Sequence, residues 1–412
     1  MHRLLNMIHK MELINRAIYT DRIRPFIGKD IIKVLTGQRR VGKSCILRQL
    51  KDQILNDNPQ ANVVFINLEF EEFRHLRSDD DLFAYLDGKF DDTKANYLFI
   101  DEVQDVLGFE HVLRSLQAKS TCDIFITGSN AKMLSSELST YLAGRYIEFH
   151  IHSLSYAEFL IFHKLENTNQ SLMLYLTYGG LPYLAHLSLT DELAFEYLRN
   201  VYATILLRDV VQRENIRNVD FLETLLHYAA DNVGSLFSAN NISKYLKSQR
   251  TEISTNQVIT YLRALSNAYI INKVSRIEIA GLKKFEIGEK YFFEDIGLRN
   301  CYQGFNMLRD IHKLIENAVF LHLRMLQYEV YVGKNHQSEV DFVGLKQGSK
   351  VYVQATYLLS QPSTEDREFG NLAAIKDNYP KYVVSLDDFN RLSLHEGIIH
   401  IHLREFLSLE NL

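Results

Sequence analysis

The octapeptide Gly37-Gln38-Arg39-Arg40-Val41-Gly42-Lys43-Ser44 constrains this chain more than any other stretch. Its spacing, G-x-x-x-x-G-K-S, is that of a loop whose backbone amides wrap a phosphate. Ile31-Ile32-Lys33-Val34-Leu35 before it reads as a buried strand. Cys45 to Leu55 after it reads as a helix with Ile46, Leu47, Leu50 and Ile54 on one face. Gly37 and Gly42 allow a positive φ and a close approach of backbone to ligand. The loop N–H groups then form an anion nest at the positive end of a helix. In such a loop Lys43 reaches the β- and γ-phosphates and Ser44 sets its hydroxyl on Mg²⁺. Gln38, Arg39, Arg40 and Val41 complete the cradle. Arg39 and Arg40 fit two readings, contact with nucleotide or a partner, or packing along the sheet edge.

Tyr97-Leu98-Phe99-Ile100-Asp101-Glu102 is the second element. An apolar run that ends in two carboxylates is the pattern of a central parallel strand whose carboxyl end reaches a site. Asp101 would support Mg²⁺ and Glu102 would orient the attacking water. Asp123-Ile124-Phe125-Ile126-Thr127-Gly128-Ser129-Asn130 is a further apolar strand ending in small polar residues. Asn130, or else Ser129, would sense the terminal phosphate; either equally caps a helix over Ala131 to Leu142. Asn62 to Leu68 makes another strand, and strands alternating with helices imply a parallel sheet wrapped by helices. Glu69-Phe70-Glu71-Glu72 and Asp79-Asp80-Asp81 read as a solvated acidic face, with Ser78 capping a helix over Leu82 to Phe90. Arg145, in Gly144-Arg145-Tyr146, is the candidate guanidinium for charge on a transferring phosphoryl group, in cis or across a subunit interface. A surface salt bridge is its alternative.

At 412 residues the chain has room for two or three domains. Hydrophobic residues are 46% and charged residues 24%, the balance of a globular domain with an aqueous surface. The net charge of −5 does not advertise nucleic-acid binding for the chain as a whole, so local charge must carry that argument. Cys45, Cys122 and Cys301 are far apart and form neither a disulfide framework nor a zinc spacing, which fits a reducing cytoplasm. There is no apolar run of about 18 residues and therefore no expected membrane span. The N-terminal stretch with His2, Arg3, Lys10 and Glu12 lacks the apolar core of a secretory signal.

The loop Gly37 to Ser44, the strand ends Ile100-Asp101-Glu102-Val103-Gln104 and Thr127-Gly128-Ser129-Asn130, and Leu142-Ala143-Gly144-Arg145-Tyr146 occur in that order. Together they resemble the AAA-type P-loop ATPases of a large prokaryotic group, in which a C-terminal domain of unknown function follows the ATPase module. Leu154-Ser155-Tyr156-Ala157-Glu158-Phe159-Leu160 and the turn Tyr178-Gly179-Gly180-Leu181-Pro182 are similar to that group as well. The resemblance covers nearly the whole chain and implies ATP, with Mg²⁺, as the nucleotide. It predicts an α/β fold: a P-loop NTPase core over 1–150, a helical lid over 151–218, a winged helix over 219–293 and an endonuclease-like α/β domain over 294–412.

Leu154 to Asn218 reads as mostly helical, with Asp191 to Arg208 as the lid helix. Phe221 to Val233, Ala239 to Lys247 capped by Ser238, and Asn256 to Asn267 capped by Thr255 form three helices. A β-rich stretch to Phe293 follows them, the composition of a winged helix. Ser238 to Lys290 holds nine Lys/Arg (Lys244, Lys247, Arg250, Arg263, Lys273, Arg276, Lys283, Lys284, Lys290) against four Glu. That local excess makes DNA the expected partner, with packing against an ATPase assembly as the alternative. Beyond it, a helix over Asp310 to Gln327 with Glu316 and strands over Glu329–Val332, Glu339–Leu345, Val351–Tyr357 and Lys381–Ser385 resemble the restriction-endonuclease-like core. Glu316 and Asp341 match that family's metal-holding positions. Gln354 and Thr356 stand where a glutamate and a lysine are expected, so the resemblance implies a core that has lost nuclease chemistry.

The combined expectation is an ATP-hydrolysing, cytoplasmic AAA-type ATPase that couples nucleotide state to DNA or a protein client, with a homo-oligomer as its expected assembly and no membrane partner. Its rivals are a nucleotide switch of slow turnover and an ATP-gated nuclease using Glu316 and Asp341.

Overall fold

Four anticipated apolar runs, and a fifth that alternates, become five parallel strands: β1 (Ile32–Thr36), β2 (Asn62–Asn67), β3 (Asn96–Asp101), β4 (Asp123–Gly128) and β5 (Tyr146–His150). They are seen in a computed structural model that describes residues 14–131, 142, 144–248, 253–285, 288–304, 306–335, 338–359, 362–387, 392–395 and 397–412. The N-terminal stretch with His2, Arg3, Lys10 and Glu12, most of the helix expected over 131–142, Ala143 and Arg250 lie outside the described residues. The chain divides into two compact units, Met1–Ile151 and His152–Leu412.

In the first unit the strand order is β2-β3-β4-β1-β5. β1 and β4 are neighbours, yet the chain leaves β1 for the far edge strand β2 and leaves β4 for β5 on the other side. Such a reversal opens a crevice at the carboxyl ends of the two strands. Helices Lys43–Asp57, Asp79–Leu86 and Phe109–Ala118 connect them. Burial on both faces explains the near-continuous hydrophobic reading of β1, β3 and β4. Ser78 and Asp81 form a reciprocal capping box at the start of the helix Asp79–Leu86. Phe65, Phe99 and Phe125 stack across β2, β3 and β4; the Phe99 and Phe125 rings are 4.7 Å apart and 11° from parallel.

The second unit begins with helices Tyr156–His163 and Asn169–Tyr178, capped by Ser155 and Thr168. The expected lid helix, Asp191–Thr204, runs on into a π-helical segment, Ile205–Gln212. Helices Val219–Asp231, Ala239–Ser248 and Thr255–Asn267 follow; the cap of the third is Ser254, one residue before the expected Thr255. A three-stranded antiparallel sheet joins them, in the order β6 (Leu236–Phe237), β9 (Glu289–Phe293), β7 (Ile271–Val274). The short strand β8 (Arg276–Glu278) pairs in parallel with β10 (Glu329–Asn335), so that backbone bonds run across the boundary expected at 293.

β10 opens a seven-stranded sheet with β11 (Ser338–Lys346), β12 (Ser349–Ala355), β13 (Lys381–Ser385), β14 (Leu392–His395) and β15 (Ile398–His402), ordered β14-β15-β13-β12-β11-β10-β8. The helix Met307–Met325 and the helix Pro362–Ala373 accompany it. The turn at Gly179 and Gly180 is tied to Asp295, whose carboxylate accepts the Gly180 and Leu298 N–H groups at 2.8 and 3.0 Å. No helix among the described residues is long and apolar enough to cross a membrane.

The Phe99 ring of β3 is stacked on both Phe65 of β2 and Phe125 of β4. Phe99→Ala removes a fully buried ring and is expected to cost about 3–5 kcal/mol. Phe83→Ala, on a residue 53% exposed, is expected to stay within about 0.5 kcal/mol of the parent. Urea unfolding of the two variants checks the contrast; equal losses would show that the aromatic stack is not what holds this sheet.

Candidate functional site

The loop between β1 and the helix Lys43–Asp57 turns as its glycines predict: Gly37 has φ 137° and Gly42 φ 98°. A third positive φ, 73° at the exposed Arg40, was not foreseeable from residue type. Gly37 is also demanded by space, because a Cβ there would come 2.1 Å from the carbonyl oxygen of Ile151. Val41 is fully buried, and its carbonyl accepts a hydrogen bond from the Arg16 guanidinium at 2.8 Å. Arg16 is itself buried and lies over the Tyr19 ring at 4.6 Å, bracing the loop from outside.

Lys43 starts the helix. Its ammonium donates to the carbonyls of Gly37 and Gln38, both at 3.0 Å, and stands 3.9 Å from Glu102 Oε1. Ser44 hydrogen-bonds Asp101. Asp101 is fully buried at the end of β3, and its neighbours come from the strand on either side. Asn67 Nδ2 at the end of β2 donates to Oδ2 at 3.0 Å, and Thr127 Oγ1 near the end of β4 donates to Oδ1 at 2.6 Å. The same Thr127 hydroxyl accepts the Glu102 N–H at 2.8 Å.

Glu102 leaves the strand in a left-handed conformation, φ 58° and ψ 47°. Its carboxylate receives Gln104 Nε2 at 2.6 Å and Ser129 Oγ at 3.0 Å. Burial works to raise the Glu102 carboxyl, but the nearby Lys43 and Arg39 charges and the two hydrogen bonds outweigh it and hold it below its ordinary value. Asp101 goes the other way: burial, the largest influence, lifts it against the bonds from Thr127 and Ser44. Glu102 is therefore an anion beside a buried ammonium, and Ser44 and Asp101 present two hard oxygen donors side by side.

The anticipated residues thus fall into two groups. Gly37 to Ser44, Asp101, Glu102, Ser129 and Asn130 occupy the carboxyl ends of β1, β3 and β4; Asn130 is buried, but it is Ser129 that bonds Glu102. Arg39 is buried and reaches Glu69 Oε1 at 3.4 Å. Arg145 does not join them. It is exposed and immediately precedes β5, where its carbonyl accepts from Ile32 N at the amino end of β1, four residues below Thr36. A role for Arg145 on the phosphate of its own chain is therefore corrected by the parallel pairing of β5 with β1, which sets it at the opposite end of the sheet.

Asn67, Thr127, Gln104 and Arg16 were missed in the sequence reading. The signal available was positional. Asn67 and Thr127 are polar residues closing apolar parallel strands at the level of Asp101.

In the second unit Glu316, Asp341 and Gln354 converge, with Lys290 among them. Lys290 was counted with the DNA-facing cations, and the structure corrects this, since it is 4% exposed and points at carboxylates. Lys273 is paired with Glu289 and Lys284 lies 3.8 Å from Glu329, while Lys244, Lys247 and Arg263 remain exposed. The three cysteines are free; burial, the main influence, raises the Cys122 thiol to about 12 and the Cys301 thiol to about 11.

Comparison with known proteins agrees with this geometry. The AAA domain family matches residues 29–160, and a domain of unknown function (DUF8612) matches residues 169–309. An uncharacterized protein of Haemophilus influenzae is 32% identical over 404 residues, covering 96% of this chain and 98% of that one. An uncharacterized protein of Methanocaldococcus jannaschii is 29% identical over 394 residues, covering 90% and 84%. Among solved structures, Aeropyrum pernix ORC1 in complex with DNA aligns with 70% of this chain and 94% of its own at 10% identity and a TM-score of 0.31. The Thermotoga maritima RuvB Holliday junction branch migration motor aligns with 63% and 87% at 15% identity and a TM-score of 0.32. The α/β unit with its parallel sheet and phosphate loop is an AAA domain, and the chain belongs to one family with the uncharacterized Haemophilus influenzae protein.

Proposed function

We propose that the protein hydrolyses ATP with Mg²⁺ at the carboxyl ends of β1, β3 and β4. The observation that carries this is the convergence on Lys43. One ammonium, in the crook of a glycine-turned loop, stands within 3.9 Å of Glu102, while Ser44 is bonded to Asp101. The donor set fits the nucleotide and its ion. Loop amides and Lys43 would bind the phosphates, and Ser44 and Asp101 would hold Mg²⁺, which when bound supplies charge neutralisation at the phosphates. Glu102, ionised and aimed by Ser129 and Gln104, polarises the attacking water and takes its proton. Asn130, which follows Ser129 just beyond β4, would sense the terminal phosphate. A partner on the second unit is the finer part of the reading. Lys244 and Lys247 on the helix Ala239–Ser248 and Arg263 on the helix Thr255–Asn267 would contact DNA phosphates.

Three outcomes are expected. Lys43→Ala loses nucleotide binding, whereas Glu102→Gln keeps it and lowers steady-state phosphate release by about 10²–10⁴-fold. Equal release from parent and Glu102→Gln removes the assignment and leaves a nucleotide-binding switch. Thr127→Val leaves the Asp101 carboxylate one donor short and the Glu102 N–H without its acceptor; it is expected to lose about 1–3 kcal/mol of stability, read by urea unfolding. Finally, DNA affinity should fall with salt, and reversing Lys244, Lys247 and Arg263 should flatten the log–log slope by about 3. An unchanged slope places any DNA contact elsewhere.

A further inference from the structure

Lys290 lies on β9, the central strand of the three-stranded sheet, opposite Leu236 of β6 and Val274 of β7. Its side chain is 5% exposed. Its Nζ is 2.8 Å from Glu339 Oε1, 3.8 Å from Glu316 Oε2 and 3.9 Å from Asp341 Oδ1. Glu316 comes from the helix Met307–Met325. Glu339 and Asp341 are two apart on β11 and so share a face. Three carboxylates from two elements therefore surround one ammonium from a third.

The surroundings are built for that arrangement. Glu316 Oε2 is buried and makes no hydrogen bond, so a lone pair faces the ammonium with nothing else to satisfy it. The Glu316 carboxylate also fills the space beside Gly234, where a Cβ would come 2.3 Å from Oε2. Asp341 is fixed from behind: Oδ2 accepts from Ala355 N at 2.9 Å, and its own N–H donates to Gln354 Oε1 at 2.7 Å. Gln354 Nε2 donates to the buried Glu368 at 2.5 Å, and Arg367 covers the other Glu368 oxygen. Arg276 stands 3.7 Å from Glu339, at the rim. Burial opposes charge on Lys290, yet Glu316, Asp341 and Glu339 prevail and raise it to about 12. The oxygen-only donor set, three carboxylates around one point, is what a hard divalent cation takes.

We propose that Glu316, Glu339 and Asp341 form a cation seat permanently filled by the Lys290 ammonium, and that shortening Lys290 opens this seat to a divalent metal ion. In the parent chain the seat is closed to metal. The buried ammonium does an ion's work, neutralising three half-buried carboxylates and tying β9 to β11 and to the helix Met307–Met325. The proposal is independent of the nucleotide reading, since every residue in it lies in the second unit.

The test uses the full-length chain without nucleotide and counts bound Mn²⁺ from the loss of the free-ion EPR signal. Parent and Asp341→Asn should bind the same number of ions, because Lys290 already excludes metal from the seat. One ion fewer in Asp341→Asn overturns the proposal. Lys290→Ala should bind one Mn²⁺ more than the parent, and the double variant Lys290→Ala/Asp341→Asn should lose that ion. A folded Lys290→Ala that gains none also overturns it. If Lys290→Ala does not fold in plain buffer, a cooperative melt restored by MnCl₂ and not by NaCl of equal ionic strength supports the seat, and failure to restore it counts against it.

Discussion

Two adjacent carboxylates buried at the end of one strand are the constraint around which the first unit is arranged. Asp101 and Glu102 are 0% and 7% exposed, and an ionised carboxylate taken out of water is costly unless donors replace the water. The Thr127 hydroxyl serves both residues, donating to the Asp101 side chain and accepting the Glu102 backbone N–H. From β4 it thus bridges the side chain that ends β3 and the backbone N–H just beyond it. The left-handed conformation of Glu102 turns the chain away after that N–H, and its carboxylate meets Ser129 and Gln104. A left-handed non-glycine residue costs roughly 1–2 kcal/mol, which the paired bonds offset. Lys43 then neutralises what remains, and it can do so only because β1 lies directly beside β4.

Much of this was legible beforehand, for definite reasons. A strand buried on both faces has to be apolar along its length, so β1, β3 and β4 stood out, and their polar ends marked the functional edge of the sheet. Glycine with positive φ was readable at Gly37 and Gly42 because nothing else turns there cheaply. Thr127 and Asn67 were not readable as partners of Asp101, since a cross-strand bond depends on register, and register is not written in one strand alone. Arg16 was hidden for the same reason, lying 25 residues before the carbonyl it holds. Arg145 is the instructive case. Gly-Arg-Tyr says nothing by itself, but Tyr146–His150 alternates like a strand with Ile147 and Phe149 on one face. A residue just before a strand parallel to β1 must sit at the end of the sheet away from the loop that follows β1.

In the second unit the error was one of direction rather than identity. Counting cations along 238–290 gives a local excess of positive charge, but a count cannot tell an outward lysine from an inward one. Lys290 sits on a strand whose next three residues are also buried, so it belongs to a segment covered on both faces and its charge is consumed within the molecule. Electrostatic readings of composition concern only the charge that reaches solvent.

The same lysine changes the meaning of Gln354. Taken alone, an amide in place of a carboxylate looks like simple loss of a metal ligand. In the structure, the amide and Lys290 act in the same direction. The amide withholds one negative charge from the cluster and the ammonium supplies one positive charge, so Glu316, Glu339 and Asp341 can stand half-buried around one point with Lys290 to balance them. The amide is also functional as an amide: its carbonyl accepts the Asp341 N–H while its NH₂ donates to Glu368, and a glutamate at 354 would set two carboxylates against each other at 2.5 Å. Read as a unit, Gln354 and Lys290 are the two halves of one electrostatic solution, and the departure from the endonuclease-like pattern is compensated in place rather than merely tolerated.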